Sequence, residues 1–441
     1  MIAIGAPGAA RGLHRTLGIG FGIAVCVGAM VGVGILRSPS LIAGHVPDVF
    51  LIAALWVAGG ANAILDANVL AELAVLYPKA GGPYVYARRA FGDFGGLAVG
   101  WTDWLNNTSG VAVLSIGCAE FAGTLFAPVA QHITLMALAL QFLLYAINLR
   151  GVRQGAWTQN ITSLLKMLLL FAIIGAIFFA VPQTSAEPAI SAVSLTGIVL
   201  GYTLIVGAYS GWNAPAYFAE EKTEPAKQIP RALFIGVALV TLLYVLFNLA
   251  LARTLSLAEL RATPLPAAVA MKSLFGSAAG SLIACVAILT ALSCLNGGIM
   301  MASRVLFGLA RDRLFVSWGE RVNKGGSPDF ALLVTAAFSA LIAGTGTFET
   351  VFLMIGIFVV IVNVMMTLSF FTLRFRDHAL ERRYRAHGYP VLPLIALALD
   401  SCLLIAFIAT NPRGALFGTG LLALALPVWL LLRKRRGAIA I

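Results

Sequence analysis

Apolar stretches of about 20 residues recur along the whole chain, and each is long enough to cross a ~30 Å hydrocarbon core. Lipid offers backbone N–H and C=O groups no partner, so runs of this kind must close their hydrogen bonds internally, as helices. Twelve such spans can be placed, at roughly 18–45, 50–77, 94–125, 133–149, 158–181, 193–218, 232–252, 276–310, 331–345, 350–373, 391–409 and 415–432. Charge agrees: only 11% of residues are charged, less than half of the roughly 25% usual in a soluble domain. The fold class expected is therefore an all-α integral membrane protein with about 12 transmembrane helices.

A net charge of +12 would in a soluble protein suggest a nucleic-acid partner. Its placement excludes that reading. With the N-terminus inside, 24 of the 30 Lys and Arg fall on cytoplasmic segments or span ends, five on the outer side or its span ends, and one, Lys166, deep inside a span. This asymmetry is the positive-inside rule, and it predicts N- and C-termini in the cytoplasm of a bacterial inner membrane. Cys26, Cys118, Cys285, Cys294 and Cys402 all lie within spans, with no CxxC and no accompanying His. They read as small buried apolar residues, with neither a disulfide nor a metal role. The first 17 residues lack an apolar core and a cleavage site, so no removable signal peptide is expected.

Two spans are interrupted at matching positions. The first carries Gly28, Gly32 and Gly34; the sixth carries Gly201, Gly207 and Gly211, followed by Trp212 and Asn213. Glycine disfavours a helix by roughly 1 kcal/mol relative to alanine, so each cluster marks a break. Small residues also permit close helix packing, and one such cluster alone favours that explanation. Two clusters five spans apart, one of them with Ser210, Trp212 and Asn213, favour broken helices. An odd number of spans per repeat inverts the second copy, an architecture whose binding site lies between broken helices at the midplane. The expected organisation is a tail at 1–17, five-helix repeats at 18–181 and 193–373, two accessory helices at 391–432 and a basic tail at 433–441.

An unwound segment exposes N–H groups at one half-helix and carbonyls at the other. The first suits a carboxylate and the second an ammonium or a cation. A zwitterionic amino acid carries both charges a few ångströms apart. Glycine matters there because a Cβ would hold the carboxylate off the backbone. Ala29, Met30, Gly32, Val33 and Gly34 are therefore expected on the carboxylate, with Gly207, Ala208 and Ser210 on the amine and side chain. Asn106, Tyr209, Asn213 and Asn296 are expected as supporting polar groups, and Trp212 as packing.

GAMVGVGIL (Gly28 to Leu36) resembles the GxxxGxGIF signature of the amino acid–polyamine–organocation (APC) superfamily. AELAVLYPKAGGPYVYARRAFG (Ala71 to Gly92), NLRGVRQGAWTQN (Asn148 to Asn160), GAYSGWNAPAYFAEE (Gly207 to Glu221) and the SRVLFGLARD run after Asn296 extend the likeness over nearly the whole chain. The closest pattern is that of bacterial amino acid permeases related to the L-type amino acid exchangers. The resemblance implies a LeuT-like fold and amino acid transport by alternating access. It also implies that Lys166 places its ammonium where sodium-coupled relatives hold sodium, supporting the first break and carrying a proton. Gly207 departs from relatives with an aromatic lid at that position.

Lys166 lies about nine residues, ~13 Å, beyond the membrane entry near Thr158, deep for a lysine that snorkels. Asp66 and Asn68 lie inside the second span, and an intramembrane carboxylate is a functional candidate unless it only bonds a neighbouring helix. Glu72 is expected to pair locally, and Glu120 to be interfacial or to line an outer vestibule.

The function expected is amino acid transport by proton symport or exchange. A polyamine or organic-cation carrier of the same superfamily is the nearest alternative, kept open by Asp66 and Glu120. A channel would need symmetric rings of carbonyls or charges. An enzyme would need paired His, Glu or Cys, whereas His14, His45, His132, His378 and His387 are scattered over tails and loops. No cofactor, metal, nucleic acid or obligate protein partner is expected.

Overall fold

The computed structural model describes residues 13–32, 34–180, 194–263, 265–345, 348–427 and 429–430. The first half of the chain forms α1 (Ile19–Met30), α2 (Gly34–His45), α3 (Val49–Leu76), α4 (Pro83–Leu125), the single turn α5 (Ala127–Ala130), α6 (Ile133–Arg150) and α7 (Val152–Phe179). Then come α8 (Leu195–Ala208), the short α9 (Ala214–Tyr217), α10 (Pro225–Thr254), α11 (Leu257–Ala262) and α12 (Pro266–Phe275). The chain closes with α13 (Ser277–Arg311), α14 (Asp329–Thr345), α15 (Phe348–Arg376), α16 (Val391–Thr410) and α17 (Pro412–Ala423). Among the described residues the only extended pairing is an isolated bridge between Leu17 and Lys222.

Among the described residues, eight helices are long and apolar enough to cross a membrane: α3, α4, α6, α7, α10, α13, α16 and the Ile357–Arg376 part of α15. The pair α1 and α2, bent by 42°, makes a ninth. Shorter apolar helices, at α8, Asp329–Gly344 and Gly414–Pro427, occupy the remaining spans read from the sequence. The protein is an all-α, multi-pass membrane protein.

Two stretches differ from the expected pattern. The apolar run places the start of the third span at 94, but α4 begins at Pro83, which suits the first helical turn because its missing N–H has no intrahelical acceptor there. Gly92, at φ 79°, then bends the helix before the apolar part begins. Between the seventh and eighth spans lie α11 and α12, too short to register as spans. The first is nucleated by a capping box in which Ser256 and Glu259 bond each other's backbone.

In the interior, α4 packs along α13 and α15, α10 along α3, and α1 against α7, α10 and α13. The outer surface is apolar, with Phe142, Leu135 and Leu164 all exposed, as lipid contact allows. Cys285 and Cys402 lie on that surface, contrary to the buried positions expected, while Cys26, Cys118 and Cys294 are buried. An outward-facing cysteine costs little in lipid, so span membership alone does not imply burial.

Candidate functional site

The first break is shorter than its glycine cluster. α1 continues through Gly28 to Met30, the chain opens at Val31 and Gly32, and α2 starts at Gly34. Gly28 is a packing residue: a Cβ there would lie 1.8 Å from Gln159 Nε2 on α7. The last carbonyls of α1 have no intrahelical donor, and side chains from three other helices supply them. Lys166 on α7 is fully buried and donates to Gly28 O (2.8 Å) and Val31 O (2.6 Å). Tyr244 on α10 donates to Met30 O (2.8 Å), and the Cys294 thiol on α13 reaches Gly28 O and Ala29 O (2.8 and 3.4 Å). Lys166 therefore does not snorkel.

This polarity corrects one expectation. Ala29 and Met30 end α1, so they present carbonyls, not the N–H groups expected to meet a carboxylate. The N–H end of the break is the start of α2 at Gly34, where an added Cβ would meet nothing within 4 Å. Gly32 faces Cys294 Sγ, which a Cβ would approach to 3.2 Å. Val33 lies outside the described residues, as do the ends of the chain at 1–12 and 431–441.

The second break follows α8 at Tyr209 to Asn213. Gly207 and Ala208 are the last residues of α8, and Gly207 borders open space, where an added Cβ would again meet nothing within 4 Å. Gly211 adopts φ 99°, and a Cβ on it would lie 2.8 Å from Ala29 Cβ and 2.9 Å from Ala29 C. Only glycine allows both that backbone conformation and that approach. The two breaks thus touch. The Tyr244 hydroxyl spans them, 2.8 Å from Met30 O and 2.9 Å from Ala208 O, so its one proton serves either carbonyl in turn. Cys26 Sγ adds a contact to Trp212 O at 3.4 Å. Tyr209 turns away and donates to Trp56 O at 2.9 Å.

Beside this contact lies a cavity of about 130 Å³. Ala29 borders it from the first break, and Ser210, Gly211, Trp212 and Asn213 from the second. Asp103, Asn106 and Asn107 on α4, Cys294 on α13 and Asn363 on α15 contribute further polar groups. Met30, Gly32, Gly34, Gly207 and Ala208 flank the breaks without lining this cavity. Trp212 is 4% exposed and both packs and lines the wall. Asn213 donates to Tyr217 Oη at 3.4 Å, and Tyr217 donates to Asp103 Oδ1 at 2.7 Å.

Two other expected residues lie elsewhere. Asn296 donates to Gly155 O and Gln159 Oε1 (3.2 and 2.9 Å) and accepts from Asn148 (2.8 Å), so it ties α13 to α6 and α7, not to the broken sixth span. Asp66 is buried on α3, where its carboxyl meets Asp400 on α16, away from the cavity lining. Asp103, Cys294 and Asn363 on the cavity wall, and Tyr244 at the two breaks, are candidate residues that the sequence reading does not single out. The rule that draws attention to Asp66 and Glu120, a carboxylate inside a span, would also find Asp103. Nothing local to Tyr244 sets it apart from other span tyrosines.

Ion pairs tie the elements around the site. Arg37 on α2 pairs with Glu120 on α4 at 3.2 Å and lies over the Phe121 ring. On the side of the basic loops, Glu72 accepts from Arg374 (3.2 Å), Arg382 (2.9 Å) and Ala386 N (2.7 Å). Asn68 there accepts from His387 N and Tyr384 Oη, both at 2.9 Å. Both residues thus anchor the segment after α15. Arg304 on α13 grips Glu221, just past α9, with Nε–Oε1 at 3.0 Å and Nη2–Oε2 at 3.2 Å, both residues buried. Lys222 next to it donates to Gly18 O at 2.8 Å, and burial pushes its ammonium down to about 8.

The model of the family described as amino acid permease matches residues 22–432. The Serine/threonine exchanger SteT of Bacillus subtilis is 26% identical, over 97% of this chain and 99% of its own. Asc-type amino acid transporter 1 of Mus musculus is 28% identical, over 95% of this chain and 81% of its own. Large neutral amino acids transporter small subunit 2 of Homo sapiens is 27% identical, over 97% and 82%. With a family match over nearly its whole length, and with the helix breaks that the resemblance implied, the chain belongs to the amino acid permease family of the APC superfamily.

Proposed function

We propose that the protein exchanges amino acids across a bacterial cytoplasmic membrane by alternating access, with both termini in the cytoplasm. Amino acid transport itself follows from the family and from relatives that are amino acid transporters and exchangers; the protein is not an enzyme. The observation that carries the site is the contact of the two breaks, Gly211 against Ala29, beside a polar-lined cavity. The substrate ammonium would lie toward the carbonyl end at Ala29, with Ser210 nearby. Its carboxylate would meet the N–H end at Gly34, where helix polarity favours an anion. Exchange over symport is favoured by SteT, an exchanger that aligns over almost all of both chains.

In this reading Lys166 couples the first break to α7 by holding the carbonyls of Gly28 and Val31. The four-helix bundle that includes the broken helices would rock against the remaining scaffold, with the repeats at 18–181 and 193–373 related by inversion and 391–432 as accessory helices. Reconstitution in proteoliposomes tests the proposal. Labelled amino acid should enter only when unlabelled amino acid is inside, which a pore cannot reproduce. Accumulation driven by a pH gradient into vesicles without internal substrate would replace exchange by symport, and no stimulation of any amino acid by internal substrate would overturn the reading.

A further inference from the structure

Asp103 is a carboxylate at membrane depth with no counter-charge among the described residues. It lies on α4, is 1% exposed, and borders the cavity at the helix breaks. Its Oδ1 accepts from Tyr217 Oη (2.7 Å) and Asn107 Nδ2 (3.1 Å), while its Oδ2 has no hydrogen-bond partner. Asn106, also on the cavity wall, holds a second buried oxygen, Oδ1, without a donor. Among the described residues no Lys or Arg pairs with Asp103. The buried cations of α13 and α7 are committed elsewhere, Arg304 to Glu221 and Lys166 to the carbonyls of the first break.

A carboxylate within a span is expensive, and such residues mark pathways for ions and substrates. Two unsatisfied acceptors on one wall, one of them ionisable, call for a donor-rich ligand group. A charged donor makes a hydrogen bond roughly twice as strong as a neutral one. We propose that Asp103 and Asn106 form a side-chain subsite for a cationic group, so that the carrier prefers amino acids with a short side-chain ammonium over apolar amino acids of the same shape. The cavity, at about 130 Å³, compares with the ~150 Å³ site that holds benzene in another protein, which favours short side chains.

This inference rests on the cavity being the amino acid site, and the test separates the two. 2,4-Diaminobutyrate and norvaline have side chains of equal length ending in an ammonium and a methyl. Both are assayed as internal substrates for exchange, and as competitors of labelled amino acid, with the full-length carrier in proteoliposomes. The expected result is a preference for 2,4-diaminobutyrate of about tenfold, equivalent to about 1.4 kcal/mol. Asp103→Asn should bring the ratio to within about twofold of one, and Asp103→Glu should retain the preference. Exchange of norvaline with no preference in the unmodified protein overturns the subsite while leaving the proposed function intact. A preference that survives Asp103→Asn also overturns it. If Asp103→Asn does not fold, the ratio measured on the unmodified protein and on Asp103→Glu decides.

Discussion

Replacing Arg304 with methionine removes one half of a doubly hydrogen-bonded ion pair in which Arg304 is 1% exposed and Glu221 is 0% exposed. The pair anchors the chain just beyond the second break to α13. Breaking a buried pair by removing one partner costs about 3–5 kcal/mol, because the remaining charge stays buried without compensation. Unfolding entropy of about 2.1 cal/mol/K per residue, applied to 441 residues, gives about 0.9 kcal/mol/K for cooperative unfolding. The expected fall in Tm is therefore about 3–5 °C. Removing both charges, as Arg304→Met with Glu221→Leu, eliminates the stranded carboxylate. Replacing a buried pair by apolar groups is neutral or stabilising by about 1–4 kcal/mol, so the double variant should melt at or above the unmodified protein. Thermal unfolding of the three proteins in one detergent, followed by circular dichroism, measures this. An unchanged Tm in Arg304→Met, or additive losses in the double variant, would refute the reasoning that the pair is buried and mutually dependent.

Lys166→Ala leaves the carbonyls of Gly28 and Val31 without their ammonium donor and should abolish exchange; full exchange by a folded variant would remove Lys166 from the mechanism. Gly211→Ala places a Cβ 2.8 Å from Ala29 Cβ at a φ of 99°, which should cost about 1–3 kcal/mol of stability from backbone strain alone and suppress transport, as Tm and counterflow would report. Gly34→Val enters open space at its Cβ, so Tm should hold while amino acid binding is lost; unchanged affinity in a thermal-shift titration would exclude the start of α2 as the carboxylate site. Lys222 has its ammonium pushed by burial from 10.5 to about 8. The unfolded chain then binds the extra proton, so stability should rise with pH between about 8 and 10.5. Lys222→Met should lack that component, which parallel melting curves across the window would detect.

Much of this protein is legible in the chain because lipid is a simple solvent. It requires helices of known length and tolerates few charges, so apolar runs and the distribution of Lys and Arg suffice to place the spans. That Lys166 must find polar partners is legible for the same reason, since a deep ammonium cannot stay unpaired. Its partners are not, since Gly28 O and Val31 O lie more than 130 residues away in sequence. The glycine clusters are legible as a pair of interruptions, yet their individual roles are not. Gly28 makes room for Gln159, Gly211 makes room for Ala29, and Gly207 faces open space, three different demands that one residue type satisfies.

What composition, charge placement and the paired glycine clusters determined was the class of molecule, its apolar spans and the neighbourhood of the breaks. Tertiary structure alone decided which polar groups converge. Asp103 and Tyr217 meet across 114 residues, and Tyr244 joins two carbonyls from separate broken spans. Asp66, just as conspicuous in the sequence, turned instead to Asp400. A helix of 3.6 residues per turn points its side chains all around its axis, and only the packing of its neighbours determines which of those directions opens on the cavity.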